Sequence, residues 1–414
     1  MQFSRRRPPA PAAILPAAMA TVLLTVSGVS GCAKEPDPGV ITVLNSATDI
    51  EHTQEQEFYD RCAKRLGVKV RQVSVPADQV VSKALRMASS HSLTDILDLD
   101  GSELPQFAAT GGLVPLRNAG VDVGGMSASA GTMGSFKGTQ YGIARSVNSL
   151  ALMYNADLLK KAGVEPPTTW DELRTAAERL TRGKTYGMAF SATPNADGVY
   201  QFLPFFWSAG GDESRLDDGR GAPALQLWKD LIDSRSASSA VVTWNQQDVA
   251  EQFIAGRAAM MINGPWNVPV LNEHKDLNWA VAALPVPGAG RPPVPPIGGT
   301  VMTLPRTGDS GRQKTAARII NCLNEQRNQV DWGQSRNNVP TRVTAAAEYK
   351  AKNPKLGAFA DEVGTGRSRT DRVGERWPVV SDALASAFQS VLTGRSTPEA
   401  ALKRAQSQAV AAGE

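Results

Sequence analysis

A regular alternation of short β-rich runs with helical patterns, starting at Val40, is the feature that most constrains the fold. The first predicted strands are residues 41–44, 68–75 and 95–99, and the predicted helices between them are residues 51–66 and 78–89. In the first of these helices Phe58, Cys62 and Leu66 recur every four residues, which places them on one helical face. Strands that alternate with helices favour an α/β fold with a mostly parallel sheet.

The same alternation continues downstream. Further strands are predicted at residues 149–154, 258–262 and 279–283, and further helices at residues 169–181, 222–232, 248–255, 315–326, 379–392 and 398–411. Residues 284–299 are rich in Pro and Gly and are interpreted as a long crossing between lobes. A chain of 414 residues has room for two to three domains.

The N-terminal segment has the organisation of a targeting signal rather than of folded structure. Arg5, Arg6 and Arg7 form a charged region, an apolar stretch follows over residues 12–26, and residues 29–32 read Val-Ser-Gly-Cys. These four residues resemble the lipobox of bacterial lipoproteins, in which the cysteine is acylated and becomes the new N-terminus. We therefore expect a signal peptide at residues 1–31, lipidation of Cys32 and a polar tether at residues 32–39, with plain secretion as the alternative.

Charge and composition exclude several classes of protein. Hydrophobic residues make up 42% of the chain and charged residues 20%, which is typical of a globular protein and not of a disordered one. Residues 1–31 hold three of the 44 Lys and Arg residues and none of the 40 Asp and Glu residues, so the remainder carries 41 basic against 40 acidic side chains. This balance offers no electrostatic basis for binding nucleic acid.

The sequence presents no recognisable catalytic or metal-binding set. The three histidines, His52, His91 and His274, do not have metal-ligand spacing, and no phosphate-binding loop or nucleophile elbow is present. Asp98 and Asp100 stand two residues apart at the end of a predicted strand, and we expect them to be solvated. We therefore predict no cofactor, no metal and no enzymatic activity.

Tryptophan is the residue type that points to a ligand. All eight tryptophans lie between Trp170 and Trp377. An indole offers a broad apolar face that suits stacking on the C–H face of a pyranose ring. The alternative for each of them is ordinary packing in the core.

Residues 253–266, FIAGRAAMMINGPW, carry the most specific signal. The segment resembles the signature of family 1 extracellular solute-binding proteins, the group that includes the maltodextrin-binding protein. It has an aromatic residue, Gly256, a small-small-Met run that starts a strand, and Gly264 followed by Trp266 in the first turn of a helix. Segments that resemble the same family in the same order lie at residues 94–99, 112–116, 141–142, 151–155, 162–173 and 338–342.

The resemblance implies two α/β lobes joined by three crossings, with the ligand in the cleft between them. It places the first lobe at residues 40–146 and 298–336, and the second at residues 147–297 and 337–414. The lobes would close on a carbohydrate like a hinge and present it to the membrane permease of an ABC importer, the protein acting as a monomer. We expect the protein on the extracytoplasmic face of the cell membrane, anchored there by its lipid.

The resemblance also suggests ligand-binding residues. The predicted set is Asn45, Ser46, Asp49, Asp100, Ser102, Glu103, Asn148, Tyr200, Trp266, Gly298, Gly299 and Trp377. Asn148 stands where the family has an acid that hydrogen-bonds sugar hydroxyls, and Asp98 or Leu99 stands where the maltodextrin binder has a stacking tryptophan. Fewer stacking faces suggest a mono- or disaccharide.

Two other ligand or activity classes stay open from the sequence. Arg145 and the cluster Arg367, Arg369, Arg372 and Arg376 would suit a glycerol-phosphate-type or acidic-sugar ligand, although such clusters are usually solvated. An exported carbohydrate-active enzyme would need two carboxyl groups facing each other across the cleft. A ligand-sensing partner of a membrane receptor would share the fold and lack the permease.

The two remaining cysteines, Cys62 and Cys322, form an even pair in a chain expected to reach an oxidising compartment. They could form one disulfide or be two small buried side chains. The family layout puts both of their helices in the first lobe, where a disulfide would not block hinge motion.

Overall fold

The computed structural model describes residues 39–47 and 49–411, and for residues 49, 50 and 78 the backbone only. The predicted signal peptide, Cys32 and residues 32–38 of the predicted tether lie outside the described residues. Among the described residues no helix is long and apolar enough to cross a membrane.

The strands of the described part are short. They are β1 (Val40–Asn45), β2 (Lys69–Ser74), β3 (Ile96–Asp100), β4 (Ser135–Phe136), β5 (Thr139–Gln140), β6 (Gly142–Ile143), β7 (Ser146–Val147), β8 (Ala151–Asn155), β9 (Tyr186–Ala189), β10 (Ala258–Asn263), β11 (Trp279–Ala282), β12 (Pro296–Ile297), β13 (Thr300–Thr303), β14 (Val339–Pro340) and β15 (Arg367–Ser368).

Helices cover more of the described chain than strands do. They are α1 (Asp49–Leu66), α2 (Val80–Ser89), α3 (Leu104–Ala109), α4 (Ala128–Met133), α5 (Ala156–Ala162), α6 (Trp170–Leu180), α7 (Ala196–Ser208), α8 (Ala222–Asp233), α9 (Gln246–Ile254), α10 (Val268–Glu273), α11 (Ser310–Leu323), α12 (Gln326–Arg336), α13 (Val343–Lys352), α14 (Gly357–Thr365), α15 (Trp377–Leu392) and α16 (Pro398–Ala411).

Two sheets organise these elements. The first has the strand order β2-β1-β3-β13-β6, and the second has the order β11-β8-β10-β9. All strands of the first sheet fall in the first predicted lobe, and all strands of the second fall in the second predicted lobe. The expectation of an α/β fold is confirmed, whereas the predicted residue boundaries of the lobes stay a prediction.

The expectation of mostly parallel sheets is confirmed, with one reversed strand in each sheet. Strand β1 pairs parallel with β2 and β3, but β13 runs antiparallel to both β3 and β6. In the second sheet β8 is antiparallel to β10 and β11. Strands β8 and β13 each follow a crossing directly and therefore start at the edge of the sheet where their neighbours β10 and β3 end.

Three segments that connect the two sheets lie side by side. Strand β7 pairs with β14, and one residue further on Asn148 and Gly298 exchange two backbone hydrogen bonds of 2.9 Å each. Pairing of these segments holds the connections between the lobes in one narrow region, which is the geometry that a hinge needs.

Helix boundaries follow local capping chemistry. Helix α6 begins with a capping box formed by Thr169 and Glu172. Helix α11 starts at Ser310, five residues before the predicted start, because the Asp309 carboxylate accepts hydrogen bonds from two backbone amides of its first turn. Helix α7 was not predicted from the sequence, since it contains Pro204, a residue that disfavours helix interiors.

Cys62 on α1 and Cys322 on α11 form a disulfide in the structure. Both side chains are buried in the core of the first sheet, where α1 packs against α11. The disulfide therefore joins two helices that flank one sheet and does not span the cleft.

Candidate functional site

The main cavity has a volume of about 640 Å³ and lies where the strands of both sheets end. Ser46 follows β1, Asp98 and Asp100 close β3, and Trp266 follows β10. The crossings add Asn148 and Gly298–Gly299. Ligands of open α/β sheets bind beyond the carboxyl ends of the strands, so this cavity is the candidate binding site.

Most of the residues expected at the ligand lie in the wall of this cavity. They are Ser46, Asp100, Glu103, Asn148, Tyr200, Trp266, Gly298 and Gly299. These residues come from segments far apart in the sequence, and the order of the strands in the two sheets brings them together.

Two predicted residues lie just behind the cavity wall. Asn45 is 1% exposed, and its side chain contacts Glu55, Gln72 and Ser74 through hydrogen bonds of 2.8, 2.6 and 2.7 Å. The Ser102 hydroxyl donates a hydrogen bond of 2.6 Å to Asp100 Oδ1. Both side chains hold other side chains of the site in place.

Trp377 is the predicted residue that the structure places away from the cavity. It begins α15, is 4% exposed and packs into the core that α7, α8 and α15 share. Asp49 begins α1, and its side chain is outside the described part of the chain.

Two aromatic rings form the apolar part of the site. Trp266 is 37% exposed, an unusual exposure for so large an apolar side chain. It lies in the 3-10 turn Pro265–Asn267, which continues directly into α10, so the predicted start of a helix after Gly264 is confirmed. The centroids of the Trp266 and Tyr200 rings are 6.4 Å apart at an interplanar angle of 51°.

Tyr200 is oriented by the crossings. The Asn195 side chain caps α7 and thereby fixes the first turn of the helix that carries Tyr200. The Tyr200 hydroxyl donates a hydrogen bond of 3.1 Å to Asn148 Oδ1. Burial raises the pKa of the Tyr200 hydroxyl, so it stays a neutral donor.

An ion pair joins the two sides of the cavity. Arg369, which follows β15, donates a hydrogen bond of 2.7 Å to Asp100 Oδ1 at the end of β3. Burial raises the pKa of Asp100, but the Arg369 guanidinium and two hydrogen bonds from Ser102 outweigh it and hold the pKa below its ordinary value. The expectation of a solvated arginine is wrong for Arg369, whose side chain is 12% exposed, whereas the Asp100 side chain keeps an exposure of 43%.

Asp98 is also buried, with an exposure of 2%. Burial raises its pKa to about 7, an effect that the nearby Arg145 guanidinium opposes. Arg145 contacts Glu55 at 3.2 Å and lies 3.8 Å from the Trp332 ring centroid. The expectation of a solvated Asp98 is wrong because alternate residues of β3 point to opposite faces of a sheet that is covered on both sides.

Several cavity residues were missed by sequence reasoning. They are Ala77, Val80, Val81, Asp98, Leu99, Ala196, Asp197, Gln246 and Thr300, while Arg369 was considered only for a phosphorylated or acidic ligand. Asp197 and Gln246 each lie in the first turn of a helix after a capping asparagine, at residues 195 and 245. An Asn cap is a recognisable signal for a helix start, but it does not indicate that the start faces a cleft.

The electrostatic character of the cavity is acidic. Four carboxyl groups line it, those of Asp98, Asp100, Glu103 and Asp197, against the single guanidinium of Arg369. Burial raises the pKa of Glu103 and of Asp197. Among the described residues no group of three metal-ligating side chains is found. Hydrogen-bond acceptors beside an aromatic wall can hold a neutral ligand that carries many hydroxyl groups.

Gly298 keeps the cavity open at the crossing. A Cβ atom at this position would lie 2.6 Å from Asn148 Oδ1 and 2.7 Å from the Tyr200 hydroxyl oxygen. Any side chain here would therefore displace Tyr200 or Asn148 from the cavity wall.

Comparison with known proteins agrees with this architecture. The sequence profile described as "Bacterial extracellular solute-binding protein" matches residues 57–358, which is more than half of the chain. A putative binding protein of Brucella abortus (strain 2308) is 27% identical over 283 residues, covering 66% of this chain and 67% of the relative. A probable ABC transporter-binding protein of Deinococcus radiodurans is 30% identical over 280 residues, covering 62% of this chain and 65% of the relative.

A solved structure extends the likeness over nearly the whole fold. The GacH receptor of Streptomyces glaucescens, which was crystallised unliganded and in complex with acarbose, superposes with a TM-score of 0.74 at 25% identity. The superposition covers 89% of this chain and 97% of the receptor. The names of these three relatives describe a receptor and two binding proteins. The profile match, together with the two-lobed fold of this protein, shows that the chain belongs to the bacterial extracellular solute-binding protein family.

Proposed function

We propose that this protein is the substrate-binding component of an ABC importer and captures a carbohydrate of one or two sugar units. The observation that carries the proposal is the pairing of the Trp266 and Tyr200 rings with carboxylate and amide oxygens in one cavity. Rings stack on the apolar face of a pyranose, and the oxygens accept hydrogen bonds from its hydroxyl groups. The complex of the GacH receptor with acarbose and the name of the Deinococcus relative support the proposal.

The charge of the cavity favours a neutral sugar over a phosphorylated or acidic one. Arg369 is the only cation in the described lining, and its guanidinium is already paired with Asp100 at 2.7 Å. An anionic ligand would have to displace Asp100 and would then face three further carboxyl groups. The glycerol-phosphate alternative is therefore disfavoured.

Closure of the lobes would follow from the position of the ligand. Asp98, Asp100 and Glu103 extend from the first sheet, while Asp197, Tyr200 and Trp266 belong to elements around the second. A sugar that contacts both sets binds the closed form better and shifts the population toward it. We propose lobes at residues 40–146 with 298–336 and at residues 147–297 with 337–414, the closed form being the one that the permease recognises.

The family places the protein outside the cytoplasm, and we propose that Cys32 anchors it there. The predicted lipobox and the Pro-containing tether after it support this. Mass spectrometry of protein extracted from membranes tests the proposal: a diacylated N-terminal Cys32 is expected, and Cys32→Ala should lose the lipid. A mature protein with an unmodified N-terminus would contradict it.

Isothermal titration with a panel of mono-, di- and oligosaccharides and glycerol phosphates tests the ligand class. We expect one class of neutral sugar to bind, and Trp266→Ala to weaken that binding by about 30-fold, the equivalent of about 2 kcal/mol for a tryptophan at the centre of a site. Trp244→Ala is the matched control, since Trp244 is a partly buried tryptophan outside the cavity lining.

The other outcomes of this titration are equally informative. Binding of glycerol phosphates alone would replace the proposal with the anionic alternative. Release of new sugars from an oligosaccharide during prolonged incubation would instead support an enzyme. A protein that melts cooperatively and binds no sugar would contradict the carbohydrate assignment.

A further inference from the structure

A second cavity of about 160 Å³ adjoins the main one at the crossings. Both cavities are lined by Ser46, Asp98, Asn148, Gly299 and Thr300, so these residues form their common wall. The rest of the second cavity comes from α1, from α12 and from the segment that contains Arg145. It therefore lies mainly in the first predicted lobe, and Asn148 and Asn338 of the crossings complete its wall beside the hinge.

Two buried side chains of this cavity each have a polar atom without a partner. Arg145 Nη1 and Asp98 Oδ1 have no hydrogen bond to any described residue. The two side chains are 4% and 3% exposed. A buried donor or acceptor without a partner is costly and rare, and it calls for a water or a ligand atom that supplies the missing bond.

The Arg145 guanidinium is enclosed by two carboxyl groups and two aromatic rings. One ring is that of Tyr59, whose centroid lies 5.7 Å away and whose buried hydroxyl also has no hydrogen-bond partner among the described residues. The Arg145 Nη2 atom lies 3.2 Å from Glu55 Oε1 and 3.7 Å from Asp98 Oδ2. The centre of the guanidinium lies 3.8 Å from the Trp332 ring centroid, which covers one face. Nη1 is thus a nitrogen of this group whose hydrogen-bonding capacity is unused.

The charges around the cavity indicate a neutral occupant. Arg145 is paired with Glu55, and the second guanidinium of the cavity, that of Arg336, is paired with Glu51. No unpaired cation is left to bind an anion among the described lining residues, and Asp98 is drawn toward its neutral form by burial. A hydroxyl group has the hydrogen-bonding chemistry that these two atoms lack, since it can accept a hydrogen bond from Arg145 Nη1 and donate one to Asp98 Oδ1.

The volume limits the size of this occupant. At about 30 Å³ for each water in the liquid, 160 Å³ has room for about five waters. A short arm such as a hydroxymethyl group fits.

From this geometry we infer that the second cavity is a specificity subsite that receives the hydroxymethyl arm of the sugar, whose hydroxyl bridges Arg145 and Asp98. The inference rests on the proposed carbohydrate function and adds a preference among sugars to it: those that carry the exocyclic hydroxymethyl group bind more tightly than those that lack it.

Matched sugar pairs test the subsite by isothermal titration. D-glucose and D-xylose, D-galactose and L-arabinose, and cellobiose and xylobiose differ only in the hydroxymethyl group. For the pair that binds, we expect the hydroxymethyl sugar to bind at least about tenfold more tightly to the unmodified protein, the equivalent of about 1.4 kcal/mol. In Arg145→Lys, which keeps the charge beside Glu55 but removes Nη1, this preference should fall to about threefold or less.

Arg367→Lys is the matched control. Arg367 is also an arginine that stacks on a tryptophan, Trp207, and pairs with a glutamate, Glu213, but it lines neither cavity. The Arg367→Lys variant should retain the full preference for the hydroxymethyl sugar of the pair. If Arg145→Lys does not fold, Asp98→Leu gives the same comparison, because leucine is similar in size to aspartate and has no oxygen that can accept a hydrogen bond from the sugar hydroxyl.

The outcomes separate this inference from the proposed function. Tight binding of a sugar with equal affinities within its pair, or an equal loss of preference in Arg145→Lys and Arg367→Lys, would show that the second cavity holds water only. The proposed function would then survive without the subsite. Binding of no sugar at all would overturn the proposed function and this inference together.

Discussion

Removal of the Cys62–Cys322 disulfide should lower the stability of the protein without changing its affinity for ligand. The disulfide closes a loop of 260 residues, for which the chain-entropy relation gives about 5.6 kcal/mol at 25 °C. Real unfolded chains are more compact than that relation assumes, and native disulfides usually contribute about 2–5 kcal/mol. We therefore expect Cys62→Ala/Cys322→Ala to lose about 3–5 kcal/mol of unfolding free energy.

The assay is urea unfolding followed by tryptophan fluorescence and circular dichroism. The double variant should have a lower midpoint and a steeper dependence on urea, because its unfolded chain exposes more surface. Unmodified protein unfolded in the presence of a reductant is the control, since it keeps both sulfur atoms and isolates the effect of the covalent link from lost packing. Ligand affinity should stay within about threefold, because α1 and α11 flank the same sheet.

A loss of less than about 1 kcal/mol would refute this reasoning, because it would mean that the link does not constrain the unfolded chain. A large loss of affinity would refute the assignment of both helices to one lobe. Both the unfolding free energy and the affinity are measured on the unmodified protein and on the double variant.

Three further perturbations test other parts of the structure. Trp377→Ala should cost about 3–5 kcal/mol of unfolding free energy, measured by urea titration, because the indole is buried in the core and not in the cavity. Its affinity at low temperature should remain, and selective loss of binding would place Trp377 at the ligand instead. Gly298→Ala should weaken binding at least tenfold in calorimetry while the protein still melts cooperatively, since the new Cβ displaces Asn148 or Tyr200. Glu362 is buried, and burial raises its pKa to about 8, so the folded state holds a proton that the unfolded state releases and this group makes stability fall between about pH 4.5 and pH 8. Glu362→Gln should flatten that decline in melting temperature, and an unchanged slope would contradict a neutral Glu362 in the folded protein.

Much of the fold could be predicted from local sequence patterns. The helices at residues 222–233 and 398–411 were predicted to within a residue at each end, because their apolar faces repeat every three to four residues. Helix α7 escaped prediction since Pro204 and a nearly continuous apolar run hide its periodicity. The antiparallel direction of β13 was also not predicted, because the direction of a strand depends on the side from which the chain enters the sheet.

The candidate site was predictable where a motif carries it. Trp266 follows from the residues 253–266 pattern, and Gly298–Gly299 from the position of a crossing. Asp98 and Arg369 were misjudged, since an acidic or basic residue in a sequence gives no indication of whether its partner approaches from another segment. Arg369 is 269 residues away from Asp100 along the chain, and only the folded arrangement brings them to 2.7 Å.

By itself, the sequence determined the class of the fold, the family and the position of the aromatic segment at its cleft, because these depend on periodicity and on short contiguous motifs. The tertiary structure alone decided that Cys62 meets Cys322, that Trp377 belongs to the core and that Arg145 and Asp98 face a second cavity. Such pairings depend on how distant segments pack, and packing is a property of the whole chain rather than of any local stretch. The sequence therefore supplies the side chains that can bind a ligand, and only the folded arrangement of the two sheets brings these side chains together in one cleft.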